Sequence, residues 1–297
     1  MAASIGYVGF AALAVIVFLV RRIITIKLAP GEPPLLRPRV PLIGHILGLI
    51  KHESDYFSIL RSRTNAPVVT LPMLNKKIYI IFSPHLAQQG FKHHNLDFDL
   101  IGLAFARQVA SISDQAMVER VKKGPDTYTT DTLAAIKKGL TGRELHGMNA
   151  AMLSYVAGQL NAISDERSRV PGLWLWMRDI MSMATVEAFY GHANPFRDDI
   201  AFLEHLWGFD SGLPAMLYGS PLKARAGARH RDRLVKKLKP YFENRLDKNE
   251  DVSSFVKYRT EASLKYGVGG DDLCRAEAIH MWVSTANSIP ALFWTLV

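Results

Sequence analysis

"HMWVSTANSIPALFWTLV" occupies residues 280–297, and the proline inside it decides how the rest of the chain is read. The stretch is apolar enough for a buried helix. Pro290, however, has no N–H to give to the carbonyl of Ala286, and its ring presses that carbonyl aside. The turn from Ala286 to Pro290 is therefore expected to open. Thr285, Asn287 and Ser288 crowd the opening, with Trp282, Phe293 and Trp294 on either side. The expectation is a kinked helix that carries a small polar notch in an apolar wall. Two readings of the notch stand side by side: polar groups that satisfy the broken turn, or a notch that faces a ligand.

Upstream, the periodicity is mostly helical from about residue 100 onward. Helices are expected over 117–123, 130–138, 143–163, 174–190, 196–207, 229–244, 252–266 and 271–297. Before them, β-branched and aromatic runs at 68–71 and 78–82 flank a polar turn at Asn75, Lys76 and Lys77, which is a hairpin signal. Ser83 then offers an N-cap and Pro84 a first helical position, so a helix opens there. The fold class expected is mainly α with a small N-terminal β-sheet. No internal repeat or low-complexity tract is visible.

The chain has 297 residues, 48% of them hydrophobic, enough to bury a large core in one big domain or two ordinary ones. Its one cysteine, Cys274, excludes a disulfide framework within the chain and a Cys-rich zinc site. Residues 2–20 carry no charge and are nearly all apolar, and Arg21, Arg22 and Lys27 follow. At about 1.5 Å per residue this run approaches the roughly 30 Å hydrocarbon thickness of a bilayer. A cleaved signal peptide or a buried helix would also be apolar, but the charge follows the run and no good cleavage site is present. The favoured reading is a membrane anchor over 1–27 with the body on the cytosolic side. Pro30, Pro33, Pro34, Pro38 and Pro41 then make 28–50 an extended, semi-rigid hinge. The body runs from 51 to 297.

Catalytic motifs are sparse. His93, His94, His45 and His52 lack regular ligand spacing, and no H-E-x-x-H or C-x-x-C occurs, so no metal site is expected from them. No G-x-G-x-x-G, Walker A loop or G-x-S-x-G elbow appears. "LKARAGARHRDRLVKKLK" (222–239) holds eight Lys or Arg and one Asp, without an aromatic residue among them. That pattern fits a solvated helix face or a surface leaning on anionic lipid headgroups, and no nucleic-acid partner is expected. "FDSGLPAMLYGSPL" (209–222) is Gly/Pro-rich and apolar, and is expected to be a loop that dips into the membrane interface.

These pieces together resemble a microsomal cytochrome P450: an uncharged anchor with a basic stop, "PPLLRPRVPLIGHILGL", a hairpin running into "SPHLAQQGF", and a long helix with a broken turn. "MWVSTANSIPALFWTL" is similar to the central distal helix of the branch that contains sterol 7α- and 12α-hydroxylases and prostacyclin synthase, where an Asn and a Pro replace the usual acid–threonine pair. "LWGFDSGLPAMLYGSPL" is similar to that branch's segment between its two roof helices. The resemblance runs from Tyr7 to Val297.

It implies that Ala286, Asn287 and Pro290 lie over the distal face of a haem, with the Asn287 amide near an oxygen ligand or the substrate. Residues 95–122 would line the substrate cavity, and 213–222 would roof it at the membrane. The family's F-x-x-G-x-x-x-C-x-G motif, whose cysteine ligates the iron, is absent. Cys274 precedes the distal helix and cannot serve as the proximal ligand, so no metal ligand is assigned. Glu166 and Arg169 match the letters of the family's E-x-x-R in the wrong place. The aromatic-x-x-x-Arg pair for a haem propionate is missing, and Lys137, Lys138 or Arg143 stand in for it.

The implied protein is the N-terminal portion of a cytochrome P450 fold behind a single transmembrane helix, ending within the distal helix. On its own it is expected neither to hold haem tightly nor to turn over. At full length it would be a haem-thiolate monooxygenase of the endoplasmic reticulum membrane, fed by an NADPH-dependent reductase and acting on a lipophilic, sterol-like or secondary-metabolite substrate. The alternatives are a haem-thiolate isomerase of the same branch, which needs no reductase, and a non-catalytic membrane protein. A second membrane span over 279–297 is the remaining reading of the closing stretch.

Overall fold

In a computed structural model, residues 28–38, 45–52, 55–73, 76–93, 95–96, 98–163, 172–197, 199, 201–218 and 221–297 are described. The expected anchor over 1–27, part of the hinge, and Glu166 with Arg169 lie outside them. Among the described residues, no helix is long and apolar enough to cross a membrane, the closing stretch included. The chain forms two compact units, Met1–Asp97 and Phe98–Val297.

The first unit is built on the expected hairpin. Strand β1 (Val68–Met73) pairs antiparallel with β2 (Lys76–Ile81), with Thr70 opposite Tyr79. Lys76 and Lys77 were expected in the turn but belong to β2. The proline-rich segment holds them there, because Lys77 Nζ pairs with Glu32 at 2.7 Å and Tyr79 donates to the same carboxylate. That segment runs along β1: Leu36 N donates to Thr70 O, and Thr70 N to Pro34 O, each at 2.9 Å. Proline is tolerated there because Pro34 stands at the start of the bridge and contributes its carbonyl, which needs no N–H. Two short helices, α1 (Ile46–His52) and α2 (Asp55–Arg61), escaped the sequence reading because neither spans two full turns. Buried His45 joins Tyr56 Oη and Leu36 O, each at 2.8 Å. Helix α3 (Pro84–Lys92) starts as expected, with Ser83 Oγ accepting from Leu86 N.

The second unit is helical among its described residues. Its elements are α4 (Asp99–Phe105) with a π-helical turn over Ala106–Ala110, α5 (Asp114–Val121), α6 (Tyr128–Gly139), α7 (Gly142–Asn161), α8 (Leu173–Tyr190), α9 (Ala201–Tyr218), α10 (Pro221–Glu243), α11 (Ser254–Lys265), α12 (Gly270–Ala286) and α13 (Ser288–Leu296). Side chains of Ser113, Thr127 and Ser253 cap α5, α6 and α11. The core is an aromatic cluster of Phe189, Tyr190, Phe196, Phe202, Tyr241 and Phe255, joined by Leu206, Leu238 and Met281.

Two expectations near α9 need correction. The helix expected over 196–207 begins later, at Ala201, because Asn194 Oδ1 takes the Phe196 N–H and Asp199 Oδ1 takes that of Ala201, holding a turn before it. The expected loop over 209–222 is helical on both sides of residues 219–220, which lie outside the described ones. Pro214 sits inside α9 because helix–helix packing overrides propensity here. Gly212 and Gly227 let α9 and α10 touch backbone to backbone, so that a Cβ on Gly212 would lie 2.5 Å from Gly227 Cα.

The basic stretch forms most of α10, with Arg225, Arg229, Arg233 and Lys236 exposed and three other cations engaged. Arg231 is buried and donates to Val109 O at 2.6 Å. Lys237 pairs with Asp199 and Lys239 with Asp271.

Candidate functional site

The helix that follows Gly269 breaks where the proline demands. α12 ends at Ala286, Asn287 (φ −99°, ψ −44°) forms the joint, and α13 starts at Ser288. Most of the polar side chains around the joint turn back on their own helix. Ser284 Oγ donates to His280 O at 2.8 Å, Thr285 Oγ1 to Met281 O at 3.0 Å, and Ser288 Oγ to Ser284 O at 2.5 Å. Ser288 bonds a carbonyl at the break, whereas the Ser284 and Thr285 hydroxyls back-bond carbonyls of α12 upstream of it.

Asn287 differs. Its amide nitrogen reaches Val283 O only at 3.4 Å, its side chain is exposed, and among the described residues its amide oxygen accepts nothing. Val283, Asn287, Ala291 and Thr295 recur every fourth residue and are all exposed, whereas Met281, Thr285 and Ile289 on the other side are buried. The kinked helix thus shows an open stripe with one free amide and a small alanine at its centre. Ala286 and Pro290 are half-buried at its edge.

Aromatic residues fix this helix to its neighbours. Trp282 Nε1 donates to Asp210 Oδ1 of α9 at 2.8 Å, and its ring stacks on Phe105 and meets Phe209 edge-on. Phe293 meets Trp174 of α8 edge-on at 5.4 Å. Phe105 was within the stretch expected to line a cavity. Asp210 was not singled out, because a lone acid in an apolar run gives no sign of its partner.

The three expected propionate partners are not gathered here. Lys137 and Lys138 are exposed in the last turn of α6, and Arg143 is exposed in the first turn of α7. The Lys138 ammonium lies over the Tyr258 ring of α11 at 4.0 Å. No hydrogen bond or ion pair among the described residues links any of the three to Ala286, Asn287 or Pro290.

Cys274 is 1% exposed and lines a cavity of about 120 Å³ with Lys239, Phe242 and Leu273. Burial pushes its thiol up to about 12, so it is no thiolate donor at neutral pH.

Below the stripe, His280 has its pKa pushed well below the usual value, first by burial and then by the Arg259 and Arg120 cations. The unfolded chain takes up a proton near pH 6.5, and the folded protein does not. Stability is therefore whole above about pH 6.5 and falls below it, by up to about 1.4 kcal/mol per pH unit. Urea midpoints between pH 7 and pH 5 are expected to drop for the parent and to drop less for His280→Gln.

Comparison with known proteins agrees with this architecture. No family model matches the chain. It is 30% identical over 292 residues to a cytochrome P450 monooxygenase of Gibberella zeae, covering 96% of this chain and 54% of that one. It is 28% identical over 273 residues to the cytochrome P450 monooxygenase nodJ of Hypoxylon pulicicidum, and 25% identical over 281 residues to a cholesterol 7-alpha-monooxygenase of Cricetulus griseus. Those two matches cover 91% and 90% of this chain, against 52% and 53% of the relatives. The solved structure of retinoic-acid-bound cyanobacterial CYP120A1 superposes with a TM-score of 0.61 at 11% identity, covering 86% of this chain and 57% of that one. The last likeness is of fold: mainly helical with a small two-stranded sheet.

A haem-protein fold with an open, amide-bearing stripe on a proline-broken helix is thereby defined. Over 90% or more of its length the chain is similar to cytochrome P450 monooxygenases. It spans about half the length of the curated relatives it matches.

Haem is the cofactor of this family, and the stripe fits one of its faces. Val283, Asn287 and Ala291 place one free amide between two exposed apolar side chains. The thiolate side does not fit Cys274, which is buried and protonated.

Proposed function

We propose that this chain forms the distal wall and roof of a haem-thiolate monooxygenase that acts on a lipophilic, sterol-like or secondary-metabolite substrate. The observation that carries it is the open stripe of Val283, Asn287 and Ala291 on a proline-broken helix, in a chain of this family. Thiolate-ligated haem supplies oxygen activation in such enzymes. Asn287 holds a neutral donor and acceptor over the stripe and orients an oxygen-bearing ligand without taking up or losing a proton. Phe105, Phe209 and Trp282 form an aromatic cluster that anchors this helix to α4 and α9. The bond from Trp282 to Asp210 holds the roof helix α9 to the distal helix.

The similarity to a cholesterol 7-alpha-monooxygenase supports a bulky, apolar substrate. Residues 2–20 support anchoring in the endoplasmic reticulum membrane, where such substrates partition and where an NADPH-dependent reductase would deliver electrons. Nothing titrates between Ser284 and Pro290, so the same wall also suits a haem-thiolate isomerase that moves no external proton.

Reduced, CO-treated samples test the proposal. The 297-residue chain incubated with haem is expected to give no thiolate-type Soret band. A coding sequence extended to include an F-x-x-G-x-x-x-C-x-G segment is expected to give one. In that longer protein Asn287→Ala lowers turnover about tenfold or more, while its stability stays within about 0.5 kcal/mol of the parent because the side chain is exposed. A thiolate-type band from the 297-residue chain, or unchanged turnover in Asn287→Ala, overturns the assignment of the wall.

A further inference from the structure

Away from the stripe, Glu204 and His205 on α9 and His230 on α10 bring three potential ligand atoms within 4.8 Å of one another. The two imidazoles face each other through Nδ1 atoms 3.3 Å apart, with ring planes tilted by 52°. Two nitrogen ligands on a tetrahedral zinc, each about 2.0–2.1 Å from the ion, lie about 3.3–3.4 Å apart. The observed separation is thus the one that a shared ion requires.

The surroundings favour this use. A Cβ on Gly208 would come within 2.7 Å of His230 Nδ1, Cγ and Cε1, so the ring is seated against bare backbone one turn beyond Glu204. Both imidazoles are half-buried, which holds their rotamers, and Glu204 is exposed, which leaves a path for an ion. A simple His–His hydrogen bond accounts for the 3.3 Å but gives no part to Glu204.

The flanking arginines do not close the site. Arg231 is turned to Val109 O and Asp232, and Arg229 and Arg233 are exposed to solvent.

We propose that Glu204, His205 and His230 form a binding site for a zinc-class divalent cation that ties α9 to α10. Two imidazoles and one carboxylate suit Zn²⁺, with Ni²⁺ and Cu²⁺ as competitors, and leave a fourth position for water. They do not suit Mg²⁺ or Ca²⁺, which require a shell of oxygens. The bound ion would lock the two helices one to two turns from the glycine contact at Gly212 and Gly227. The site stands independently of any haem.

The test uses the full 297-residue chain, stripped with chelator and titrated with ZnCl2 or CoCl2 alone. The parent is expected to bind one more equivalent of Zn²⁺ than the His205→Ala/His230→Ala double variant. Its Co²⁺ form is expected to show visible bands of tetrahedral intensity, which the double variant loses. Zn²⁺ at about 100 times its dissociation constant is expected to raise Tm by roughly 5–10 °C. Glu204→Gln, an exposed and isosteric change that leaves the fold intact, weakens binding about tenfold or more. Equal stoichiometry and an equal zinc-induced Tm shift in parent and double variant would overturn the proposal, as would a Glu204→Gln affinity equal to the parent's. The histidines then form a hydrogen bond only.

Discussion

Glu277→Gln is expected to destabilise the protein by about 3–5 kcal/mol, through the charge it leaves behind. Arg259 on α11 and Glu277 on α12 are each 1% exposed and form a two-bond pair, Nη2 to Oε2 at 2.5 Å and Nε to Oε1 at 3.1 Å. The guanidinium also lies over the Phe255 ring at 3.6 Å, so one face is already dry. Neutralising Glu277 strands a cation that cannot reach water and cannot lose its proton. Replacing both partners by apolar residues of similar size removes the desolvation cost along with the attraction. Arg259→Met/Glu277→Leu should therefore lie close to the parent or above it. Urea unfolding followed by tryptophan fluorescence reads this directly, since all five tryptophans lie in the Phe98–Val297 unit. A single variant that loses less than about 1 kcal/mol, the level of an exposed pair, would refute the pair's buried character.

Phe202→Ala is expected to cost a similar amount, about 3–5 kcal/mol, for a different reason. Phe202 is fully buried in the first turn of α9, and its ring centroid lies 4.5 Å from that of Phe196. Phe196 in turn packs on Tyr190, which packs on Tyr241. Truncation removes the ring at one end of that chain and leaves a cavity that flanking helices cannot collapse into, since α9 is held close to α10 at Gly212 and Gly227. Phe202→Leu keeps most of the volume and should lose less than about 1.5 kcal/mol. The contrast between the two substitutions in the same urea experiment separates cavity cost from any loss specific to aromatic contact.

Much of the site was legible before any coordinates. Pro290 has no N–H to give to Ala286 O, which is the local reason for the break at Asn287; Pro214 inside α9 shows that packing can override the same signal. The caps at Ser83, Ser113, Thr127 and Ser253 act over three residues; of these, the sequence alone announced Ser83, with Pro84 behind it.

The expectations that failed are those that depended on a partner distant in sequence. Residues 209–218 look like a loop until α10 presents Gly227 to Gly212. Glu204, His205 and His230 drew no attention because the third is 25 residues from the second, a spacing that belongs to no local motif.

By itself the sequence determined the helical class, the hairpin and the break before Pro290. Each follows from local pattern and backbone chemistry. Only the tertiary structure decided which polar groups are free and which are paired. Pairing across helices is set by distances between residues far apart in the chain, and no local pattern encodes them. That is why Ser284, Thr285 and Ser288 belong to their own helix, why Arg259 needs Glu277, and why two histidines of the roof stand at the spacing of a metal site.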